Sequence, residues 1–146
     1  MKNRERTDKR LRKTYGITLY EYNALLAAQG DGCSICGAAP VTRALHVDHD
    51  HALARTKIRV KKMQFSGLSL WHAEARRDGN IFEATEATRQ KAIENVRSGL
   101  LRRSIRGLVC HRCNRGLQMF SDVVERLESA AAYLRRFAEK GSPILD

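Results

Sequence analysis

The amino-acid sequence predicts an α+β fold in which a small core of short strands and helices is interrupted by an inserted module. Three observations favour this class. The first half of Leu45–His51 alternates apolar residues with His and Asp, as in a short strand with two unlike faces. Residues 55–104 contain three strand-like segments followed by a helical one. Helical periodicity begins at Thr18 and again near Ser121.

The composition favours a polyanionic partner. The 146 residues are enough for one ordinary domain, or for a small core with one insertion. Lys and Arg outnumber Asp and Glu 27 to 16, which gives a formal net charge of +11 and favours nucleic acid over a merely soluble basic protein. The sequence contains neither a signal-peptide pattern nor the roughly 20 apolar residues of a membrane helix. We therefore expect a cytoplasmic protein without a membrane partner.

The N-terminal region is predicted to be an arm followed by one core helix. Residues 1–14 carry seven Lys and Arg against two acids and show no core-like apolar face, so the arm either contacts DNA or is solvated. A capping-box pattern, Thr18 with Glu21, predicts the start of the helix, and Gly30–Gly32 ends it. Its apolar stripe is Leu19, Tyr20, Tyr22, Leu25 and Leu26.

Two Cys-x-x-Cys pairs, Cys33/Cys36 and Cys110/Cys113, predict one structural zinc site. Thiolates three positions apart can bind the same ion from a tight turn, and Gly37 relieves the first turn sterically. Metal is favoured over disulfides in a cytoplasmic chain. A thioredoxin-like redox role is disfavoured, because neither pair opens a βαβ unit. The 73 residues between the pairs exceed an ordinary ribbon spacing and predict an insertion.

The insertion is predicted over residues 55–104. Its strands are Thr56–Phe65, Ser69–Arg77 and Ile81–Ala84, with a hairpin turn at Asp78–Asn80. A helix from about Glu86 to Arg103 follows, with a buried stripe of Ala92, Ile93, Val96 and Leu100. In the second strand, Trp71, Ala73 and Ala75 share one face.

Most of the net charge lies in this insertion. Between Ala52 and Arg106 there are 13 Lys and Arg against 5 Asp and Glu, a net of +8. Three strands backed by one helix, with a basic sheet face, resemble the small DNA-binding modules of integrase arms. The alternative is a basic surface without base recognition.

The remainder of the chain returns to the core. Ile105–Cys110 is a second strand, which we expect to pair with the strand of Asp48 and His49. A short helix from Arg112 to about Met119 carries Asn114. Ser121 is expected to cap a last helix that ends at Gly141–Pro143. Its stripe of Val124, Leu127, Ala131, Leu134 and Ala138 predicts packing on the core or, alternatively, a homodimer interface.

A shared zinc would bring Asp48, His49 and Asn114 together on a strand pair and the following helix. Mg²⁺ prefers few protein oxygens and keeps water or phosphate oxygens as its other ligands. The Asp48 carboxylate and the Asn114 amide carbonyl supply two such oxygens, and a neutral His49 can accept a proton from water. These are the minimal groups for hydrolysing a phosphodiester.

The sequence resembles the recombination endonuclease VII family of HNH (ββα-metal, His-Me finger) nucleases. The resemblance covers Tyr15–Cys36, Leu45–His51, Ile105–Leu117 and, loosely, the following helix. It depends on the motifs CxxC, HxDHDH and RGLxCxxCN occurring in this order. It implies an endonuclease core over 15–54 and 105–140, interrupted by the module at 55–104.

The resemblance also implies the roles of individual residues. Cys33, Cys36, Cys110 and Cys113 hold a structural Zn²⁺. Asp48 and Asn114 bind a catalytic Mg²⁺ or Mn²⁺, His49 is the general base and His51 contacts phosphate. His46 and His111 are expected to be structural, and His72 is not expected to be catalytic. The expected partner is branched or duplex DNA, and the expected source is a phage or its bacterial host.

The alternatives differ in what they leave unexplained. A non-catalytic zinc-containing DNA-binding protein needs no Asp-His pair followed by Asn after the fourth cysteine. A zinc deaminase needs an H-x-E followed later by P-C-x-x-C, and this sequence does not contain that combination. A ribosomal zinc protein accounts for the charge but not for HxDHDH. The family's junction resolvase has an acidic residue shortly after the asparagine, whereas this chain has Arg115-Gly116-Leu117, which leaves junction resolution and duplex cutting both open.

Overall fold

The computed structural model describes residues 2–140 and has a mixed α+β fold, as predicted. Within this range the strands form two separate antiparallel sheets, one of two strands and one of three. The elements in chain order are α1 (Lys2–Tyr15), α2 (Leu19–Ala28), β1 (His46–His49), α3 (His51–Ala54), β2 (Arg59–Phe65), β3 (Leu68–Arg77), β4 (Asn80–Glu86), α4 (Arg89–Ser104), β5 (Ile105–Val109), α5 (His111–Met119) and α6 (Val124–Lys140). The predicted helix end at Gly141–Pro143 lies outside the described residues.

The N-terminal segment is a helix that packs on the first core. Leu11 of α1 is only 2% exposed and lies in one buried cluster with Ile17, Tyr22, Val47 and Leu108. The prediction that residues 1–14 lack a core-packing side chain is therefore wrong. One apolar residue in a run of charges gives no periodic signal, yet it is enough to anchor a helix.

Helix α2 begins as its sequence predicts. The Thr18 hydroxyl accepts the Glu21 N–H and the Glu21 carboxylate accepts the Thr18 N–H, which completes the capping box. Tyr22 is buried, and its hydroxyl donates to the Leu45 carbonyl at 2.9 Å, just before β1. Tyr20, expected in the buried stripe, is 81% exposed, because its position on the helix turns it away from β1 and β5.

Strands β1 and β5 pair antiparallel, which confirms the expected pairing. His46, Val47 and Asp48 lie opposite Val109, Leu108 and Gly107, but His49 lies opposite Ile105. Arg106 is the additional residue in this irregular step, which has the form of a β-bulge. The bulge interrupts the simple alternation of faces between Asp48 and His49.

The insertion forms the sheet β2–β3–β4 with α4 on one face, as predicted. The second buried cluster consists of Ala73, Ala75, Ala92, Val96 and Leu100. Two-residue turns at Ser66–Gly67 and Asp78–Gly79 have positive φ at both positions, which matches the twist of the strands they join. Strand β4 extends to Glu86, which pairs with Trp71, so α4 starts later than predicted and is capped by Thr88.

Several bonds join the inserted module to the first core. Helix α4 leads directly into β5, and the Asp50 N–H donates to the Ser104 carbonyl at 2.8 Å. Arg102 donates to the Gly16 carbonyl at 2.9 Å and pairs with the Glu21 carboxylate. The C-terminal end of the module is therefore tied to the core.

The last helix differs from its prediction. The Val123 carbonyl accepts the first helical N–H groups of α6, and Ser121 has φ 59°, so Ser121 is not the cap. In the expected core stripe, Val124 is 60% exposed and Leu134 is 66% exposed. None of the helices found within residues 2–140 has the length and apolar character needed to cross a membrane.

Candidate catalytic and metal site

The four cysteines meet at one point, as the two motifs predict. One Sγ atom from each of Cys33, Cys36, Cys110 and Cys113 lies within 4.8 Å of the others. The Cys36 and Cys110 sulfurs are 3.8 Å apart, close to the separation of about 3.8 Å expected for two thiolates that each lie about 2.3 Å from a tetrahedral zinc. Four sulfur donors at this spacing fit a structural Zn²⁺.

The backbone around Cys33 is shaped for this cluster. The Gly37 N–H donates to the Cys33 carbonyl at 2.8 Å, and Gly37 has φ 71°, which most residues adopt only with strain. A Cβ on Gly32 would lie 2.3 Å from the Gly37 carbonyl oxygen. Glycine at both positions therefore permits the tight turn that presents Cys33 and Cys36 together.

The thiols of the cluster differ in their pKa. Burial alone would raise the pKa of Cys33, but N–H donors from Cys110, Cys36 and Ile35 outweigh it and lower this pKa to about 6. Burial raises the pKa of Cys113, and the neighbouring thiols raise it further. One sulfur is thus ready to bind a metal as a thiolate, and another becomes a thiolate only when a cation compensates its charge.

Gln29, which the sequence analysis did not single out, joins the cysteine turn to β5. Its Nε2 donates to the Leu108 carbonyl at 2.7 Å, and its Oε1 accepts the Leu108 N–H at 3.0 Å. Its Oε1 also accepts the Ser34 hydroxyl. Gly107 lies against the same side chain of Ser34, where a Cβ would be 2.8 Å from the hydroxyl oxygen. Sequence pattern carries no signal for this clamp, because the partners are backbone groups 79 residues away.

Asp48 is held by an arginine. Asp48 is only 8% exposed, and its two carboxylate oxygens accept Arg106 Nε at 2.8 Å and Nη2 at 3.0 Å. The same Nη2 lies 3.3 Å from a carboxylate oxygen of Asp122. Asp48 raises the pKa of the Arg106 guanidinium, and Asp122 adds to this effect. The sequence analysis predicted neither Arg106 nor Asp122 as a site residue. The only sequence signal for either was that Arg106 belongs to the RGLxCxxCN motif.

His49 and His51 lie side by side, next to Asp48. Their ring centroids are 4.4 Å apart, and Tyr15 meets His49 edge-on at 5.5 Å. His51 lies beyond the end of β1 and begins the short helix α3. Burial lowers the pKa of His49, and the charge of His51 lowers it further, so the His49 imidazole stays neutral at neutral pH and can accept a proton.

Asp50 has a structural role between the two histidines. One oxygen of its carboxylate accepts the Ala52 N–H at 2.8 Å and the Leu53 N–H at 2.9 Å, which caps α3. The bond from Leu53 lowers the pKa of Asp50, and the charges of Arg106 and Arg77 contribute to the lowering. The cap fixes the turn that brings His51 beside His49.

Asn114 lies in the first turn of α5, whose N-cap is Cys110. The Asn114 N–H donates to the Cys110 carbonyl at 2.9 Å, and α5 packs against β1. The rings of His46 and His111 are 5.6 Å apart on these same two elements. The helix that follows Cys110 and contains Cys113 therefore carries Asn114 and packs against the strand of Asp48.

A second group of potential ligands lies on the inserted sheet. His72, Glu74 and Glu83 each offer an atom within 4.8 Å of the others. Arg76 binds the Glu74 carboxylate at 2.8 Å, and the Thr85 hydroxyl lies 3.1 Å from His72 Nδ1. These contacts with protein groups account for two of the three side chains without any ion.

The chemistry available at β1 is that of charge compensation and proton transfer. It combines a nearly buried carboxylate, a neutral imidazole and an arginine on the strand pair that leads into the cluster of four thiols. A protein-family model described as recombination endonuclease VII matches residues 8–136. No curated protein and no solved structure matches the chain. The family match covers every residue of the candidate site.

Proposed function

The chain belongs to the recombination endonuclease VII family, and from this premise we propose that it is a DNA endonuclease that uses a divalent cation to hydrolyse phosphodiester bonds. The single observation that carries the proposal is the location of Asp48 and His49 on β1, beside the four-cysteine cluster. We propose that β1, β5 and α5 form a ββα-metal core, and that residues 55–104 form an inserted DNA-binding module.

The cysteines are proposed to have a structural role. Cys33, Cys36, Cys110 and Cys113 would hold a Zn²⁺ that joins the turn before β1 to the start of α5. Because this ion has four protein sulfurs, it offers no open position for substrate. Its effect on catalysis is to fix Asn114 relative to the strand pair.

Asp48 and Asn114 are proposed to hold the catalytic Mg²⁺ or Mn²⁺. Their oxygens are the donor type that such cations prefer. Asp48 already stabilises one positive group, Arg106, and a carboxylate has lone pairs beyond the two hydrogen bonds described. When bound there, the cation would neutralise the charge that develops on the phosphate and on the leaving oxygen.

His49 is proposed as the general base. Its lowered pKa keeps it neutral, and it accepts a proton from the water that attacks phosphorus. Tyr15 packs on its edge and so restricts the ring orientation. His51, whose ring centroid lies 4.4 Å from that of His49, is proposed to contact a phosphate oxygen.

The proposal is tested by cleavage of supercoiled plasmid and of a synthetic four-way junction. Zinc-loaded wild type, His49→Ala and the control His72→Ala are each assayed with Mg²⁺ and with no added divalent cation. We expect cleavage by the wild type and the control that needs Mg²⁺, and a loss of about 10²-fold or more in His49→Ala. The preferred substrate decides between branched and duplex DNA.

A zinc-containing protein that binds DNA without cutting it is not favoured, because the chain belongs to a family of endonucleases. That alternative would nevertheless be supported if the wild type bound both DNAs tightly and cut neither with Mg²⁺ or Mn²⁺. Equal cleavage by wild type and His49→Ala would instead remove His49 from the mechanism.

A further inference from the structure

A basic cleft lies on the inserted module, where the chain enters this module after helix α3. Its volume is about 360 Å³, and its lining includes Arg55, Lys57, Arg59, Arg76 and Arg77 with one acid, Glu74. The buried residues Thr56 and Ala75 also line it. All five cations are exposed. The basic cleft is therefore a concave surface whose lining carries a net positive charge.

The cations of the basic cleft are largely free to bind a ligand. Arg76 pairs with Glu74 at 2.8 Å, and Arg77 lies 3.4 Å from the exposed Asp78 carboxylate. Among the residues that the structure describes, Arg55, Lys57 and Arg59 take part in no ion pair. Arg59 lies opposite the acidic Glu74 in the β2–β3 register, beyond ion-pair distance. An anion bound in the cleft would reduce the remaining repulsion between its cations.

The basic cleft begins one short helix away from His51. Helix α3 spans His51–Ala54, and Arg55 is its C-cap. Four helical residues extend about 6 Å. A polyanion in the cleft would therefore continue directly toward His49 and His51.

We infer that the basic cleft binds the sugar–phosphate backbone of duplex DNA on one side of the phosphate that is cleaved. Arg and Lys are the usual phosphate contacts, and five of the eight residues that line the cleft are of these two types. The inference rests on the proposed endonuclease function and assigns the cleft to substrate binding rather than to the chemical step. It predicts weaker binding, independent of base sequence, when the unpaired cations are removed.

The test is binding of a short duplex by fluorescence anisotropy, with zinc-loaded His49→Ala protein and no added divalent cation. The cleft variant adds Arg55→Gln, Lys57→Gln and Arg59→Gln. The matched control adds Arg126→Gln, Arg135→Gln and Arg136→Gln, which remove the same charge from exposed positions of α6. We expect binding at least about tenfold weaker in the cleft variant, and a salt dependence that is shallower by about 0.9 for each phosphate that is no longer neutralised. The control should weaken clearly less.

Cleavage assays separate this inference from the proposed function. With His49 intact, the cleft variant should show a raised KM for plasmid and a kcat close to that of the wild type. If the cleft variant binds as tightly as its parent, or if the control weakens binding equally, the inference is wrong even when the wild type cuts DNA. If the wild type cuts no DNA, the endonuclease proposal fails separately. Should the triple variant not fold, as judged by circular dichroism, Lys57→Gln alone must still weaken binding.

Discussion

Arg106 donates to both carboxylate oxygens of Asp48, from Nε at 2.8 Å and from Nη2 at 3.0 Å. The bulge between β1 and β5 makes this possible, because Arg106 is the residue left without a partner in the strand register. A nearly buried carboxylate needs a compensating charge. Arg106 supplies it, and so competes with any other cation for the same oxygens.

Replacing Arg106 should therefore strengthen metal binding at Asp48. In Arg106→Gln, we expect a loss of about 1–2 kcal/mol in the free energy of unfolding, which is modest because the Arg106 side chain is 41% exposed. Mg²⁺ should raise the Tm of this variant more than that of the wild type. Thermal melts with and without Mg²⁺ measure the difference, and Arg103→Gln is the charge-matched control. Equal Mg²⁺ shifts in all three proteins would contradict the competition.

Asn114 should matter for metal-dependent cleavage and not for the fold. We expect Asn114→Ala to keep its circular dichroism spectrum, zinc content and affinity for duplex DNA, while its cleavage rate falls at least about tenfold. Plasmid cleavage over a range of Mg²⁺ concentrations measures this, and Gln118→Ala on the same helix is the control. A cleavage rate that stays at the wild-type value would remove Asn114 from the proposed metal site.

Cys110 should be essential for folding through zinc. Cys110→Ser is expected to unfold or aggregate, because the binding energy of a four-thiolate zinc contributes directly to the folded state. The wild type should contain one zinc per chain by elemental analysis. A folded Cys110→Ser protein, together with a wild type free of zinc, would show that the cysteine cluster is not a zinc site.

Gln29 should contribute to stability out of proportion to its position at the end of a helix. Gln29→Ala would leave the N–H of the fully buried Leu108 without its side-chain partner, whereas the Leu108 carbonyl would keep the Ser34 N–H at 3.0 Å. We expect a loss of about 1–3 kcal/mol in urea unfolding. Gln90→Ala removes an exposed glutamine that bonds to Glu94, and it should cost much less. A similar cost for both variants would mean that water replaces the clamp.

Glu21 should make stability depend on pH in acid. The bond from Arg102 lowers the pKa of Glu21 from 4.5 to about 2, so the folded state favours the ionised carboxylate. Its stabilising effect is complete above the unfolded pKa of 4.5 and is lost as pH falls toward 2. The Tm of Glu21→Gln should be lower than that of the wild type at pH 6 and converge with it near pH 2. A Tm difference that is constant with pH would exclude this linkage.

The sequence pattern was sufficient to predict those elements whose conformation is determined by residues close to them in the chain. Period-two alternation, turn residues and helical stripes predicted β2, β3, β4 and α4, and the capping box predicted the start of α2. The two Cys-x-x-Cys motifs predicted their own convergence, because four thiolates around one ion leave little geometric freedom.

Sequence pattern was not sufficient where a single distant contact decides the outcome. The Arg106–Asp48 pair depends on one bulge, which no residue type signals by itself. Leu11 is buried although the residues on either side of it are charged, and Val124 is exposed although it belongs to a helical stripe. In each case the burial of the side chain depends on whether another helix or strand packs over it. The periodicity of the sequence does not contain this information.

The pairing of β1 with β5 has a consequence for the newly made chain. When His49 has been added to the growing chain, 55 more residues must be synthesised before Ile105. The fourth cysteine, Cys113, is added later still. Until then the proposed base has no partner strand and the sulfur cluster is incomplete. Such distant pairing also closes slowly. We therefore expect unfinished or broken chains to be harmless to DNA, so that only full synthesis through Cys113 produces a competent enzyme.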